Sequence, residues 1–371
     1  MSSAPQANLQ DLTAAGVSVW LDDLDRTRIT SGQLADMITI DSVRGVTTNP
    51  TIFEKAISGG AAAYADQLAA LANAGSDVDS IIRSLTTDDV RAACDVFLPL
   101  FETSNGEDGR VSIEVDPRLA HDTEATVDQA RQLWAIVDRP NALIKIPATP
   151  EGLPAITEVI GSGISVNVTL IFSVERYDAV VEAYVRGLEL ALERGHDLTR
   201  IRSVASFFIS RIDTEVDGRL RDIESPAAQA LHGEAAIATG RLVWQAHLES
   251  TRSPRWAELE RAGAHRQRPL WASTGVKDPT MAPTRYVLDL VVRGCVNTMP
   301  EATLRAVADN GPVPRDTVDG TFAASAEVWS SLESLGISQA DVSATLEAEG
   351  VTKFIDSWEQ LRGTVSAAAG L

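Results

Sequence analysis

The sequence predicts an α/β fold of eight strand–helix units: a (β/α)8 barrel, with a doubly wound open sheet as the alternative that pattern alone leaves standing. Three observations carry this expectation. Short β-branched runs recur eight times along the 371 residues, and longer amphipathic stretches lie between them. The length suits one large barrel with additions as well as it suits two domains.

In chain order the strand-like runs are Val17–Leu21, Gly45–Thr48, Arg110–Val115, Ala142–Pro147, Ile164–Phe172, Ser203–Ile209, Pro269–Ser273 and Gly294–Thr298. Helical spacing fills the gaps at Ser31–Ile40, Ala61–Ala74, Ser76–Phe101, Asp122–Val137, Gly152–Gly161 and Val174–Arg194, and along an acidic-basic stretch from Asp213 to Ala262. Strand and helix alternate throughout, which right-handed crossovers turn into a parallel sheet. From about Val318 to Leu371 the pattern is helical only, around Ala323–Leu335, Gln339–Ala348 and Val351–Val365, with no ninth strand. These are expected to be additional C-terminal helices covering the barrel. No repeat and no Pro-, Ser- or Gly-rich linker divides the chain, so residues 1–371 read as a single domain.

Composition narrows the function. There are 32 Lys and Arg against 52 Asp and Glu, a net charge of −20. A chain this acidic is repelled by nucleic acid and anionic membrane surfaces, so neither is expected as a partner, and an anionic ligand must meet individually placed cations. Cys94 and Cys295 stand far apart with no CxxC spacing, as a reducing, cytoplasmic compartment permits. Met1–Leu12 lacks the pattern of a signal peptide, and no apolar run approaches ~20 residues. The five histidines show no HxH or HExxH spacing, so no metal is expected.

Lysine is the most informative residue type, because only Lys55, Lys145, Lys277 and Lys353 occur. Lys145 alone lies inside an apolar strand run, Ala142-Leu143-Ile144-Lys145-Ile146-Pro147, where an ammonium group must be buried at a cost. Burial favours the neutral amine that attack on a carbonyl requires. Lys145 is therefore a Schiff-base nucleophile, a structural lysine paired with a core carboxylate, or a lysine at a strand end that reaches solvent.

Alternation in the other strands bears on that choice. Ser112, Glu114 and Asp116 share one face of the third strand, Asn167 and Thr169 one face of the fifth, and Thr47 and Asn49 one face of the second. In a barrel these polar sets point inward and toward the C-terminal mouth, where catalytic groups of this fold collect. At the end of the first strand the parity of Ser18 and Trp20 continues to Asp22, a candidate proton acceptor. Asp22, Asp23 and Asp25 could instead cap the next helix or form a solvated acidic loop.

The segments Gly45-Val46-Thr47-Thr48-Asn49-Pro50-Thr51, Arg110-Val111-Ser112-Ile113-Glu114-Val115-Asp116 and Leu143-Ile144-Lys145-Ile146-Pro147 together resemble transaldolase. So do Asn167–Ser173, Trp271-Ala272-Ser273-Thr274 and Val296-Asn297-Thr298-Met299-Pro300, and the blocks follow the family's order from Val17 to Pro300. The resemblance implies a (β/α)8 barrel that forms a lysine Schiff base without metal or organic cofactor. It makes Lys145 the Schiff-base lysine and Asp22 the group that takes the C4 hydroxyl proton during C–C cleavage. Glu114 then relays protons during carbinolamine dehydration, and Thr169 helps hold a catalytic water. Asn49 and Asn167 are implied as hydrogen-bonding partners of the dihydroxyacetone part, with Ser206 and Ser273 as further polar contacts. Arg211 resembles a phosphate-binding arginine, whose fork matches phosphate oxygens. Many members carry a second arginine two residues past the serine of the seventh strand; here Gly275 stands there, and Lys277 either takes over or is a surface lysine.

The expected function is cytoplasmic transfer of a dihydroxyacetone unit between sugar phosphates, such as from sedoheptulose 7-phosphate to glyceraldehyde 3-phosphate. The rivals are a fructose 6-phosphate aldolase-like lyase and a non-catalytic sugar-phosphate-binding barrel. Phe208 favours transfer, because it stands at the phenylalanine of transaldolases, where lyase-like relatives carry a tyrosine. A homo-oligomer is compatible with the sequence, which does not specify one.

Overall fold

The computed structural model describes residues 6–371; Met1–Pro5, the start of the polar N-terminal segment, lie outside the described residues. Eight parallel strands run in chain order: β1 (Ser18–Leu21), β2 (Gly45–Val46), β3 (Arg110–Glu114), β4 (Ala142–Pro147), β5 (Val166–Ile171), β6 (Ser203–Phe208), β7 (Arg268–Ala272) and β8 (Val296–Met299). β1 pairs with both β2 and β8, which closes the barrel and rules out the open sheet. All eight expected strands are present; β4 has its expected bounds and no end of the others shifts by more than two residues. β2 is the shortest because Thr47 onward turns away into the N-cap of the helix Pro50–Gly59.

The barrel interior explains several residue choices. Ile144, Ile146, Val166 and Val168 are fully buried, as strands covered by helices require. Trp20 fills the space beside Gly45, where a Cβ would come within 2.6 Å of the indole, so only glycine fits. A hydrogen-bonded chain crosses from β3 to β6: Asn167 Nδ2 donates to Ser112 Oγ at 3.0 Å, and Ser206 Oγ donates to Asn167 Oδ1 at 2.7 Å. The polar parity therefore does point inward. Pairing of β5 with β6 shifts between Val168 and Ile171, and Leu170 adopts φ 62, a left-handed conformation that costs a branched residue.

Two expectations about helices are corrected. The stretch Asp213–Ala262 divides into Ser210–Arg221, Pro226–Ala230, Ala235–Ser250 and Pro254–Arg261. Two of these starts follow serine N-caps, Ser225 and Ser253, each with proline at the first helical position. The tail carries one continuous helix, Gln339–Ala369, and not the two expected around Gln339–Ala348 and Val351–Val365. Gly350 reads as a break in sequence, but in three dimensions it is a contact: a Cβ there would stand 3.0 Å from Leu170 Cδ2. The helix tolerates this glycine because tertiary packing on both sides outweighs a propensity cost of about 1 kcal/mol. Its course brings it across the C-terminal mouth of the barrel, against Leu170, Phe172 and Arg211.

Candidate active site

Lys145 and Glu114 are register partners on β4 and β3, and Lys145 is likewise beside Asn167 of β5. This register brings Lys145 Nζ to 3.0 Å from Glu114 Oε2 and 3.2 Å from the carbonyl oxygen of Thr48. Both side chains of the ion pair are almost entirely enclosed, at 4% and 5% exposure. Such a pair holds two charges out of water, which stability alone does not favour. Burial pushes the Glu114 carboxyl above its ordinary value, with the Lys145 charge and its hydrogen bond opposing the shift.

Asp22 follows β1 directly, its backbone N–H held by the carbonyl of Met299 at 2.8 Å. Its carboxylate accepts from Thr47 Oγ1 at 2.7 Å, and Thr47 Oγ1 is also 2.7 Å from Thr298 Oγ1. Burial raises the Asp22 carboxyl, opposed by the Thr47 hydrogen bond and by the charges of Lys145 and Arg211. The acidic turn thus splits by role. Asp25 N-caps the helix Arg26–Thr30, accepting from Arg28 N at 2.8 Å, and Asp23 pairs with Arg28 at 2.8 Å. Asp22 alone turns toward the lysine. Asp116, expected on the inward face, is corrected: beyond the strand end it accepts from Arg118 through backbone and guanidinium, at 2.9 and 2.6 Å.

The other residues fall into three groups. Asn167 and Ser206 belong to the buried network already described, whereas Thr169 Oγ1 is buried with no hydrogen-bond partner among the described residues. The side-chain oxygen of Asn49 accepts from Ile52 N–H at 3.0 Å as a helix N-cap, which leaves its amide N–H groups free to donate. Ser273 adopts φ 55, and its hydroxyl lies 2.9 Å from Ser210 Oγ. Leu170 and Ser273 thus place strained backbone at or beyond the C-terminal ends of β5 and β7, a location where strain commonly accompanies function.

At the mouth, the Arg211 guanidinium has no hydrogen-bond or ion-pair partner among the described residues and lies 5.0 Å from the Phe208 ring centroid. Burial lowers its pKa, opposed by Glu114, Glu349 and Asp22. Lys277 is exposed on the loop after β7, outside this enclosed group. Sequence reasoning missed Phe354 on the terminal helix: its ring centroid lies 5.3 Å from Lys145 Nζ and 5.9 Å from Arg211 Cζ. The only local signal is the spacing Leu346, Gly350, Phe354, which sets these residues on one helix face. Thr47, which donates to Asp22, and Thr298, which meets Thr47 behind it, also went unassigned to these contacts. Among the described residues no three His, Cys, Asp or Glu side chains converge to hold a metal ion.

A closed parallel barrel whose C-terminal mouth gathers a buried lysine, two raised carboxyls and a free guanidinium defines the class: a (β/α)8-barrel enzyme. Residues 19–365 match the sequence model of the family described as transaldolase/fructose-6-phosphate aldolase. A transaldolase of Mycolicibacterium smegmatis is 58% identical over 358 residues, covering 96% of each chain. One of Thermobifida fusca is 56% identical over 96% of this chain and 97% of its own. A transaldolase of Mycobacterium tuberculosis is 57% identical over 97% of this chain and 96% of its own. The chain belongs to the transaldolase/fructose-6-phosphate aldolase family.

Proposed function

We propose that this enzyme transfers a dihydroxyacetone unit between sugar phosphates through a Schiff base on Lys145, working in the cytoplasm. The observation that carries the reading is the enclosed Lys145–Glu114 pair at 3.0 Å with Asp22 near enough to feel the lysine's charge. Two buried free cysteines and the absence, among the described residues, of a helix long and apolar enough to cross a membrane support the location.

Each residue then has a task. Glu114, whose carboxyl burial has raised, accepts the proton that frees the Lys145 amine to attack C2 of the ketose. The carbinolamine loses its hydroxyl as water, with Glu114 supplying the proton through a water held by Thr169. Asp22 takes the C4 hydroxyl proton, the C3–C4 bond breaks, an aldose phosphate leaves, and the electron pair remains as a three-carbon enamine. Attack of that enamine on a second aldose reverses the sequence, Asp22 returning its proton to the new hydroxyl. Asn49 and Asn167 bind the dihydroxyacetone hydroxyls, with Ser206 and Ser273 as further polar contacts.

Arg211 takes the phosphate. A free guanidinium stacked on phenyl rings is already oriented, so a phosphate gains bidentate contacts with little reorganisation. Arg211→Ala is expected to raise KM for phosphorylated ketoses by the loss of roughly 1.5 to 3 kcal/mol of charge-assisted bonding. Lys277→Ala, at an exposed position, should change KM much less. A larger KM effect for Lys277 would move the phosphate site to the seventh-strand loop.

The reaction type is tested by acceptor dependence. Fructose 6-phosphate should be consumed rapidly only with erythrose 4-phosphate present, sedoheptulose 7-phosphate appearing in step. Phe208→Tyr should increase release of free dihydroxyacetone, because a phenol can donate to a water near the enamine and a phenyl ring cannot. Equally fast release from the unaltered protein without acceptor would make it a lyase. Failure to trap any imine would make it a binding barrel.

A further inference from the structure

We infer that Phe354 of the terminal helix Gln339–Ala369 is a specificity-determining residue: its ring roofs the enamine on Lys145, keeps proton-donating water from the enamine carbon, and so favours transfer over release of free dihydroxyacetone. The inference rests on the Schiff-base reading above and adds a residue that no barrel strand supplies.

The ring stands between the two cations that would hold opposite ends of the substrate, 5.3 Å from Lys145 Nζ and 5.9 Å from Arg211 Cζ. The Phe208 ring centroid lies 6.5 Å from that of Phe354 and 5.5 Å from that of Phe172, so the roof continues into an apolar wall. The helix is fixed on both sides of Phe354. One turn earlier, Gly350 allows it to press onto the mouth, where a Cβ would stand 3.0 Å from Leu170 and 3.5 Å from Arg211. On that side Arg176 pairs with Glu347 at 2.9 Å. On the other, Ser357 Oγ meets Thr51 Oγ1 at 2.7 Å and Arg362 pairs with Asp79 at 2.9 Å. Phe354 itself is 4% exposed, so its ring is part of the enclosed chamber.

An enamine is discharged when its carbon takes a proton to give the iminium and water then adds at C2. The carbinolamine so formed breaks its C–N bond, freeing dihydroxyacetone and the lysine. Addition of water at C2 also ends the transfer reaction and uses the water held by Thr169, so release differs from transfer only in protonation of the enamine carbon. That step needs a proton donor beside the carbon; a phenyl ring is none, and it occupies the volume where a donating water would stand.

The test measures dihydroxyacetone released from fructose 6-phosphate without acceptor, divided by the transfer rate with erythrose 4-phosphate, for the unaltered enzyme, Phe354→Leu and Phe354→Ala. This ratio does not depend on how much enzyme is folded. Phe354→Ala should raise it about tenfold or more, with Phe354→Leu between the two, because the opening for water grows as the side chain shrinks. Borohydride trapping on Lys145 should persist in both variants. An unchanged ratio in the variants overturns the inference, even if both lose overall rate; if the alanine variant does not fold, an unchanged ratio in Phe354→Leu does so. Acceptor-independent release by the unaltered enzyme would instead overturn the transfer reading, and is seen before any variant is made.

Discussion

Lys145→Met is expected to abolish turnover, lowering kcat by on the order of 10⁴-fold or more, since a covalent pathway has no substitute for its nucleophile. The variant should fold. Methionine fills the same slender space, and Glu114, left without its partner, can take up a proton because burial favours the neutral acid. Borohydride reduction during turnover should add one dihydroxyacetone-derived mass to the Lys145 peptide of the parent and nothing to the variant. Label on Lys55, Lys277 or Lys353 would sink the assignment.

The second large effect separates the two carboxylates. Asp22→Asn should lower kcat by about 10² to 10⁴ while imine trapping from fructose 6-phosphate continues, because the step lost is cleavage. Glu114→Gln should slow formation of the imine itself. The sign of the pH effect follows from burial. Asp22 must be ionised to take the C4 proton, and its carboxyl is raised, so activity should fall on acidification at a higher pH than an ordinary aspartate would give. The same shift means that the charged form is disfavoured in the native state above the unfolded value. Asp22→Asn should therefore be no less heat-stable than the parent, with Thr47 still able to donate to the amide oxygen. Near-parental activity in both variants would remove the carboxylates from the mechanism.

These tests concern residues that were legible before any coordinates, and the reason is local. A strand alternates faces with period two, so Glu114 and Asn167 declare their inward side from neighbours one and two positions away. A lysine among apolar residues announces burial in the same way. The three aspartates after β1 could not be sorted locally, because capping, pairing with Arg28 and facing the lysine all suit an Asp-rich turn. Their sorting depends on Thr47, just after β2, and Arg28 from the next helix. Asp116 misled for a related reason: parity holds only while the strand lasts, and β3 ends at Glu114.

What the sequence determined by itself was the order of strands and helices, the polar inner face and the one lysine enclosed within it. All of these follow from periodicity and the cost of burying charge. Closure of the barrel was decided only by the pairing of β1 with β8, residues about three quarters of the chain apart. The tertiary structure alone likewise turned Gly350 from an apparent helix break into a close contact and carried Phe354 over Lys145. Those outcomes depend on how the far end of the chain packs on the mouth of the barrel. A local pattern can assign a helix its buried face, but it carries no record of which surface, well over 100 residues away in sequence, that face will cover.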